Sequence, residues 1–251
     1  MTFLTLSMTL IFVLIPLLLS KTLRLRLEKD IMIATVRSII QLLAVGYVLQ
    51  FVFDSEDFIY IILMVLLMIV AATQNVRRKG QSIKGITWKI VVTLVSIEVL
   101  TQTILLGLGI VPPTAQYIIS ISGMIIGNSM VLSILFLNRF TDEINNHQDQ
   151  TELILSLGGT PKQAIHKQLL NAIKASMIPT IESQKTMGLV QLPGMMSGQI
   201  IAGADPVQAV QFQLLILFLL LTTATVTSIL LGFLSYPTLF NERMQYVHSE
   251  R

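Results

Sequence analysis

The sequence predicts an all-α membrane protein that crosses the bilayer several times. Hydrophobic residues make up 53% of its 251 residues and charged residues only 12%, whereas a soluble domain would carry about a quarter charged residues. The hydrophobic residues form seven apolar runs, and each approaches the ~20 residues that a helix needs to cross the hydrocarbon core. We therefore expect a polytopic helical fold over residues 1–251, with about seven transmembrane helices.

The seven predicted spans follow one another with short connections, except for a long polar stretch before the sixth. They cover residues 2–20, 31–53, 58–75, 88–108, 115–137, 185–203 and 206–234. The first run has no basic residues before it and no small-residue cleavage site after it, so we interpret it as a retained span and not as a signal peptide. Asp205 and Pro206 are typical of a helix start and predict where the last span begins.

Basic residues indicate the orientation, because Lys and Arg are concentrated in cytoplasmic connections. All of them except Arg37 are predicted on one side: Lys21, Arg24, Arg26, Lys29, Arg77, Arg78, Lys79, Lys84, Lys89, Arg139, Lys162, Lys167, Lys174, Lys185, Arg243 and Arg251. This pattern predicts a plasma-membrane protein with its N-terminus outside and its C-terminus in the cytoplasm. If the sixth span re-enters instead of crossing, the ends of the seventh change sides.

The sixth span contains a helix breaker at its centre. Pro193 lacks a backbone donor and clashes with the preceding helical turn, and glycines surround it. Broken membrane helices often mark transport sites, which makes a set of neighbouring residues candidates for a translocation pathway: Pro193, Gly194, Met195, Met196 and Gln199. Alternatively, the segment is a kinked helix packed through Gly194-x-x-x-Gly198. The thioethers can contact a soft metal weakly or fill irregular space.

Four polar side chains within the other spans are further pathway candidates. Glu98 lies about ten residues into the fourth span, where an acid is a functional hypothesis by default. Arg37 lies about two turns from the inner end of the second span; it can snorkel to the interface or reach Glu98, and Gln41 shares its helix face. Asn128 lies mid-span in a second G-x-x-x-G segment, where an amide either ties helices together or binds substrate.

The polar stretch 138–184 predicts a folded cytoplasmic coupling segment. A short helix over 151–157 should end at Gly158, and Thr160-Pro161 should cap the next helix, with Gln163 completing a capping box. The apolar positions of the second helix recur every four residues from Ile165, and we expect it to lie along the membrane surface before Pro179. Such an elbow offers a rigid knob to another protein, or binds only lipid headgroups.

Several functions lack their usual motifs in this sequence. It contains no G-x-x-x-x-G-K-[ST], H-E-x-x-H or G-x-S-x-G motif, and therefore none of the usual motifs for binding ATP in a P-loop or for hydrolysis. His147, His166 and His248 are isolated from one another, and any metal ligands remain unknown. We expect neither an enzyme nor a nucleic-acid-binding protein.

Four stretches resemble a known transporter class. Thr151–Gly158 carries an acid six residues before a glycine and loosely resembles the cytoplasmic EAA-type loop of ABC permeases, although the loop's two alanines are absent and Asn171 stands at the position expected for its proline. The stretch 188–203, followed by Asp205-Pro206 and Ala209, is similar to the signature of the FetB-type permeases. Arg37-x-x-x-Gln41-Leu with Gly46, and Gly123-Met-x-x-Gly-Asn-x-Met130, fit the same family. Its members include bacterial iron-export permeases and plant aluminium-tolerance half-transporters.

The resemblance implies a permease domain driven by a separate cytoplasmic ABC ATPase, with ATP on that partner and no cofactor on this chain. It further implies a permease homodimer that exports iron or another metal ion, with a sugar nucleotide or other organic solute as the alternative cargo. Residues that would couple to the ATPase are Glu152, Gly158, Thr160 and Pro161. Two rival hypotheses remain: an ion-coupled carrier or channel that uses Glu98, and a regulatory membrane subunit that only recruits a partner.

Overall fold

The structure, a computed structural model, describes residues 9–55, 57–79, 83, 85–241 and 245. The start of the predicted first span and the basic residues Lys84, Arg243 and Arg251 therefore lie outside the described residues. By its internal contacts the chain divides into two compact units, Met1–Asp57 and Phe58–Arg251.

The described residues form helices, which confirms the all-α class. The first unit contains α1 (Ile11–Thr22) and α2 (Glu28–Ser55); the second contains α3 (Phe58–Arg77), α4 (Ile86–Gly107), α5 (Ala115–Asn146), α6 (Gln148–Ser156), α7 (Pro161–Ala164), α8 (His166–Thr186), α9 (Gly194–Ile201), α10 (Pro206–Ser235) and a 3₁₀ turn at Tyr236–Leu239. Among these, α2, α3, α4, α5 and α10 are long and apolar enough to cross a membrane. The polytopic membrane fold is thus confirmed. The predicted first and sixth spans differ from the other five, because no described helix at these positions is both long enough and apolar enough to cross a membrane.

The first unit is a pair of contacting helices joined by a tight connection. Ser20 fixes this connection, because its hydroxyl donates to Glu28 Oε1 at 2.9 Å and accepts from the Leu27 backbone N–H at 3.1 Å. Arg24 and Arg26 adopt positive φ angles of 54° and 60° there. The described part of the predicted first span, α1, is about 18 Å long at 1.5 Å per residue.

In the second unit, α5 and α10 are the central helices. Helix α5 packs against α3, α4, α8 and α10, and α10 packs against α4, α5, α8 and α9. Gly232 allows the closest approach: a Cβ at this position would lie 2.8 Å from Leu169 Cδ1 and 3.1 Å from Phe136 Cζ. The absence of a side chain on α10 therefore lets α5 and α8 pack tightly around it.

The predicted sixth span, 185–203, is divided in the structure. Helix α8 continues through Pro179 to Thr186, the chain turns over residues 187–193, and α9 begins at Gly194. Pro193 is the N-cap of α9, with φ −60° and ψ 139°, so it precedes a helix instead of kinking one. Helix α9 is about 12 Å long, less than half of the ~30 Å hydrocarbon core. A single transmembrane helix at this position is therefore excluded.

Contacts with α10 show where α8 runs. The Ser176 hydroxyl lies 2.9 Å from that of Ser228, and Gln184 Nε2 donates to the Leu217 carbonyl at 3.0 Å. Helix α8 is therefore antiparallel to α10: later residues of α8 lie beside earlier residues of α10, in the direction of Pro206. Helix α9 also packs against α10, so residues 166–205 follow the length of α10 in two helical pieces.

This course corrects two sequence expectations. Helix α8 does not lie on the membrane surface, because its apolar face is buried against α5 and α10, with Leu169 and Ala172 almost inaccessible. The sequence also groups Lys185 with the basic residues on the predicted cytoplasmic side, whereas the structure places it beside the middle part of α10. Its neighbour Gln184 reaches Leu217, which is about 16 Å along α10 from Pro206 and about 27 Å from Ser235.

Candidate translocation pathway

Glu98 is buried between α4 and α5 and joins these two helices. Its Oε1 accepts hydrogen bonds from the Ser122 hydroxyl at 2.5 Å and from Gln102 Nε2 at 3.0 Å. Gln102 Nε2 also donates to the Ser122 hydroxyl at 2.9 Å. The three side chains form a closed polar cluster inside an apolar bundle, where hydrogen bonding between polar side chains stabilises helix association.

One carboxylate oxygen of Glu98 is not used in this cluster. Glu98 Oε2 is buried and has no hydrogen-bond partner among the described residues. Glu98 and Gln102 lie on the wall of a groove of 340 Å³ whose other lining residues are apolar and come mainly from α3 and α4. The groove beside Glu98 is therefore mainly apolar in this structure. A role of Glu98 in transport stays a prediction.

Asn128 joins a different pair of helices. Its Nδ2 donates to the Thr223 hydroxyl at 3.2 Å and to the Leu220 carbonyl at 3.4 Å. These bonds connect the middle of α5 to the middle of α10. Of the two alternatives for Asn128, the observed contacts favour an amide that ties helices together.

Arg37 and Gln41 lie on one exposed face of α2. They line a shallow pocket with apolar residues of the same helix, including Met32 and Ile40. Both belong to the first unit, whereas Glu98 belongs to the second. A pairing of Arg37 with Glu98 stays a prediction.

The break residues around α9 have unequal surroundings. Met195 packs against the apolar cluster that includes Ile97 and Ile216, which agrees with a space-filling thioether. Met196 and Gln199 are half-buried, whereas Gly194 and Gly198 are exposed. A Cβ at either glycine would meet no described atom within 4 Å, so Gly194-x-x-x-Gly198 does not pack against another helix within the described chain.

An exposed ion pair lies on α8, close to the break. Lys185 Nζ is 2.7 Å from Glu182 Oε1, and their side chains are 62% and 59% exposed. Both residues lie within one turn of Gln184, and hence beside the middle part of α10. The sequence does not single them out, because Glu182 lies in the polar stretch 138–184, which favours an extramembrane location, and Lys185 is the first residue of the predicted sixth span. The available signal is the four-residue apolar period, which continues from Met177 to Ile181 across Pro179.

The elbow, residues 148–165, has the geometry that the sequence predicts. Helix α6 ends before Gly158, which adopts a φ of 85°. The capping box is present: Thr160 Oγ1 accepts from the Gln163 N–H at 3.4 Å, and Gln163 Oε1 accepts from the Thr160 N–H at 2.9 Å. Pro161 occupies the first turn of α7. The elbow is therefore a defined helix–turn–helix and not a flexible connection.

The elbow presents an apolar surface at one end of the bundle. Leu153 and Leu157 are 59% and 79% exposed and lie one helical turn apart, next to the exposed Glu152. Helix α7 contacts the 3₁₀ turn that follows α10. Displacement of the elbow would therefore act on both α8 and the end of α10.

No resident metal site is visible in the described part of the chain. No group of three or more His, Cys, Asp or Glu side chains lies together there. At the end of α5, His147 Nδ1 lies 3.7 Å from Glu143 Oε2, which also accepts from Asn171 Nδ2 at 3.2 Å. These acidic and imidazole groups serve helix contacts.

Comparison with known proteins identifies the family. Residues 3–240 match the model described as "Uncharacterised protein family (UPF0014)". The chain belongs to this family. It is 54% identical over 250 residues to the "UPF0014 membrane protein YjkA" of Bacillus subtilis, with full coverage of both chains. It is 39% identical to the "Probable iron export permease protein FetB" of Escherichia coli, over 97% of this chain and 94% of that protein.

A plant relative extends the same similarity. The chain is 33% identical to "Protein ALUMINUM SENSITIVE 3" of Arabidopsis thaliana, over 94% of this chain and 86% of that protein. No solved structure matches the chain. The FetB-type resemblance expected from the sequence is thus confirmed, and the UPF0014 assignment covers nearly the whole length.

Proposed function

We propose that this protein is the membrane permease subunit of an ABC transporter that exports iron or another metal ion. The observation that supports this most directly is the elbow: a capped helix–turn–helix that exposes Leu153 and Leu157 outside the bundle and is followed directly by the packed helix α8. An apolar, rigid projection of this kind suits a groove in a partner protein. The name of the Escherichia coli relative supports the cargo.

In this proposal the partner is a cytoplasmic ABC ATPase that carries the ATP. Closure of two ATPase subunits pushes the elbows of two permease copies. Because α8 packs along α5 and α10, the push moves these helices together. The turn at 187–193 separates α8 from α9. Helix α8 can therefore tilt while α9 stays packed against α10.

Reconstitution tests the proposal. The purified protein is incorporated into proteoliposomes with and without an ABC ATPase encoded beside it, and the flux of ferrous iron, other cations and sugar nucleotides is measured with and without ATP. We expect iron or another metal ion to move only when both ATPase and ATP are present.

The other outcomes separate the rival functions. Full flux without the ATPase would establish an ion-coupled carrier or channel and refute the proposal. ATPase binding without movement of any solute would establish a regulatory subunit. ATP-dependent flux of a sugar nucleotide alone would keep the ABC mechanism and overturn the metal cargo.

A further inference from the structure

We propose that the charged face of α8, which carries Glu182 and Lys185, lines a water-filled pathway, and that a second copy of this chain completes this pathway by packing on the turn at 187–193. The inference rests on the proposed permease function and assigns its pathway to particular residues. Two independent observations, one on side chains and one on the backbone, carry it.

The first observation is the depth of the exposed ion pair. Helix α10 is about 45 Å long at 1.5 Å per residue, and a hydrocarbon core of ~30 Å centred on this helix includes Leu217, where Gln184 contacts it. Glu182 and Lys185 are on the same turn of α8 and are more than half exposed. A charged side chain at the bilayer centre is unfavourable by about 2.5–3.5 kcal/mol or more, so this face does not contact lipid.

The second observation is the irregular backbone that follows. Residues 187–193 are not helical, and Leu189 and Val190 are 92% and 84% exposed. Some of the backbone groups are paired: the Gly188 N–H donates to the Gln191 carbonyl at 2.9 Å, and the Val190 N–H to the Thr186 carbonyl at 3.0 Å. Non-helical backbone at membrane depth is tolerated only where protein covers it or where it lines a water-filled cavity.

The two observations require water at the charged face and protein over the exposed turn, and a second copy of the chain can provide both. Glu182 and Lys185 neutralise each other within α8, so the same face of a second copy can approach across a two-fold axis without repulsion between net charges. The exposed apolar residues Leu189 and Val190 would then be covered by protein, while the charges remain hydrated between the two copies. Gly194 and Gly198, which no described atom approaches, allow close contact beside this space.

The chain contains no cysteine, so single cysteines can test the inference directly. Lys185→Cys is compared with Phe218→Cys, a matched control that is also exposed, at 61%, and lies one residue from Leu217 on α10. The protein in native membrane vesicles is treated with a hydrophilic methanethiosulfonate reagent, and the rates are normalised to detergent-denatured protein. Because the thiolate is the reacting species and needs water, we expect Lys185→Cys to react at least about tenfold faster.

A short bifunctional maleimide then tests the second copy. We expect Leu189→Cys to form a covalent dimer and Phe218→Cys to remain monomeric under the same conditions. Equal labelling of Lys185→Cys and Phe218→Cys would overturn the water-filled pathway, and absence of a Leu189→Cys dimer would overturn the role of the second copy. Neither measurement needs ATP, cargo or an ATPase, so failure of the proposed function would leave these results interpretable on their own.

Discussion

At the residue scale, the polar groups within the bundle mainly connect helices. Glu98 bonds α4 to α5 through Ser122, and Asn128 bonds α5 to α10 through Thr223. The sequence places Glu98 and Asn128 inside spans from their position alone, but it does not indicate their partners. Ser122 and Thr223 come from other helices, at separations in the chain that only the packing brings into contact, whereas Gln102, the second donor to Glu98, lies one turn away on α4.

Glu98→Gln separates a structural role from a transport role. The amide oxygen of glutamine can still accept from Ser122 and Gln102, so we expect normal expression and assembly but altered metal flux in proteoliposomes. Glu98→Leu is the contrasting variant, because it leaves the buried Ser122 hydroxyl without its acceptor and should destabilise the bundle by about 1–3 kcal/mol. Normal flux in Glu98→Gln would show that the acid serves only helix packing.

Gly232→Ala tests the close packing of α8 on α10. The added Cβ would approach Leu169 Cδ1 to 2.8 Å and Phe136 Cζ to 3.1 Å, and overpacking typically destabilises by about 1–3 kcal/mol. Gly127→Ala on α5 is the control, since a Cβ there meets no described atom within 4 Å. We expect a lower melting temperature in detergent for Gly232→Ala than for Gly127→Ala; equal values would contradict the packing.

At the element scale, local sequence signals hold where local physics decides the structure. Asp205 caps α10 by accepting from the Val207 and Gln208 N–H groups, and the Thr160 capping box starts α7. Pro179 shows the opposite case. A proline inside a helix removes one hydrogen bond, yet α8 continues through it, because α5 and α10 bury its apolar face before that position and Gln184 bonds to α10 after it.

Gly158→Pro tests whether the elbow couples to an ATPase. Proline is incompatible with the φ of 85° at this position, and it removes the N–H that donates to the Leu155 carbonyl at 3.0 Å. We expect an intact membrane bundle with loss of ATPase binding and ATP-dependent flux.

Gly109→Pro provides a matched control for this variant. Gly109 also has a positive φ, 64°, and its N–H donates to the Leu106 carbonyl at 3.1 Å, but it follows α4 at the other end of the bundle. It should retain ATPase binding. An undiminished ATP-dependent flux in Gly158→Pro would refute the role of the elbow.

At the scale of the whole molecule, several side-chain contacts hold the ends of four helices of the second unit next to one another. Lys89 Nζ donates to the Thr238 hydroxyl at 2.6 Å, and Asn171 Nδ2 to Glu143 Oε2 at 3.2 Å. The start of α4, the end of α5, the start of α8 and the end of α10 are therefore neighbours. We propose that this end is cytoplasmic, in agreement with the predicted orientation.

Accessibility from the two sides of the membrane tests this orientation. We expect Lys162→Cys to react with an impermeant thiol reagent only in inside-out vesicles, because positively charged connections remain in the cytoplasm. Leu108→Cys, 73% exposed after α4, should react only in right-side-out vesicles. Labelling of Lys162→Cys from the cell exterior would reverse the topology and exclude a cytoplasmic ATPase at the elbow.

The sequence by itself determined the membrane class, five of the long spans, the helix caps and the family, because hydrophobic run length, capping residues and the motif order are properties of local sequence. The tertiary structure decided the course of residues 166–205 and the partners of Glu98 and Asn128. It also decided that Glu182 and Lys185 lie beside the middle part of α10. These features depend on which helix face is buried against which neighbour, and a polar composition does not distinguish a helix at the membrane surface from one that packs along another helix of the bundle.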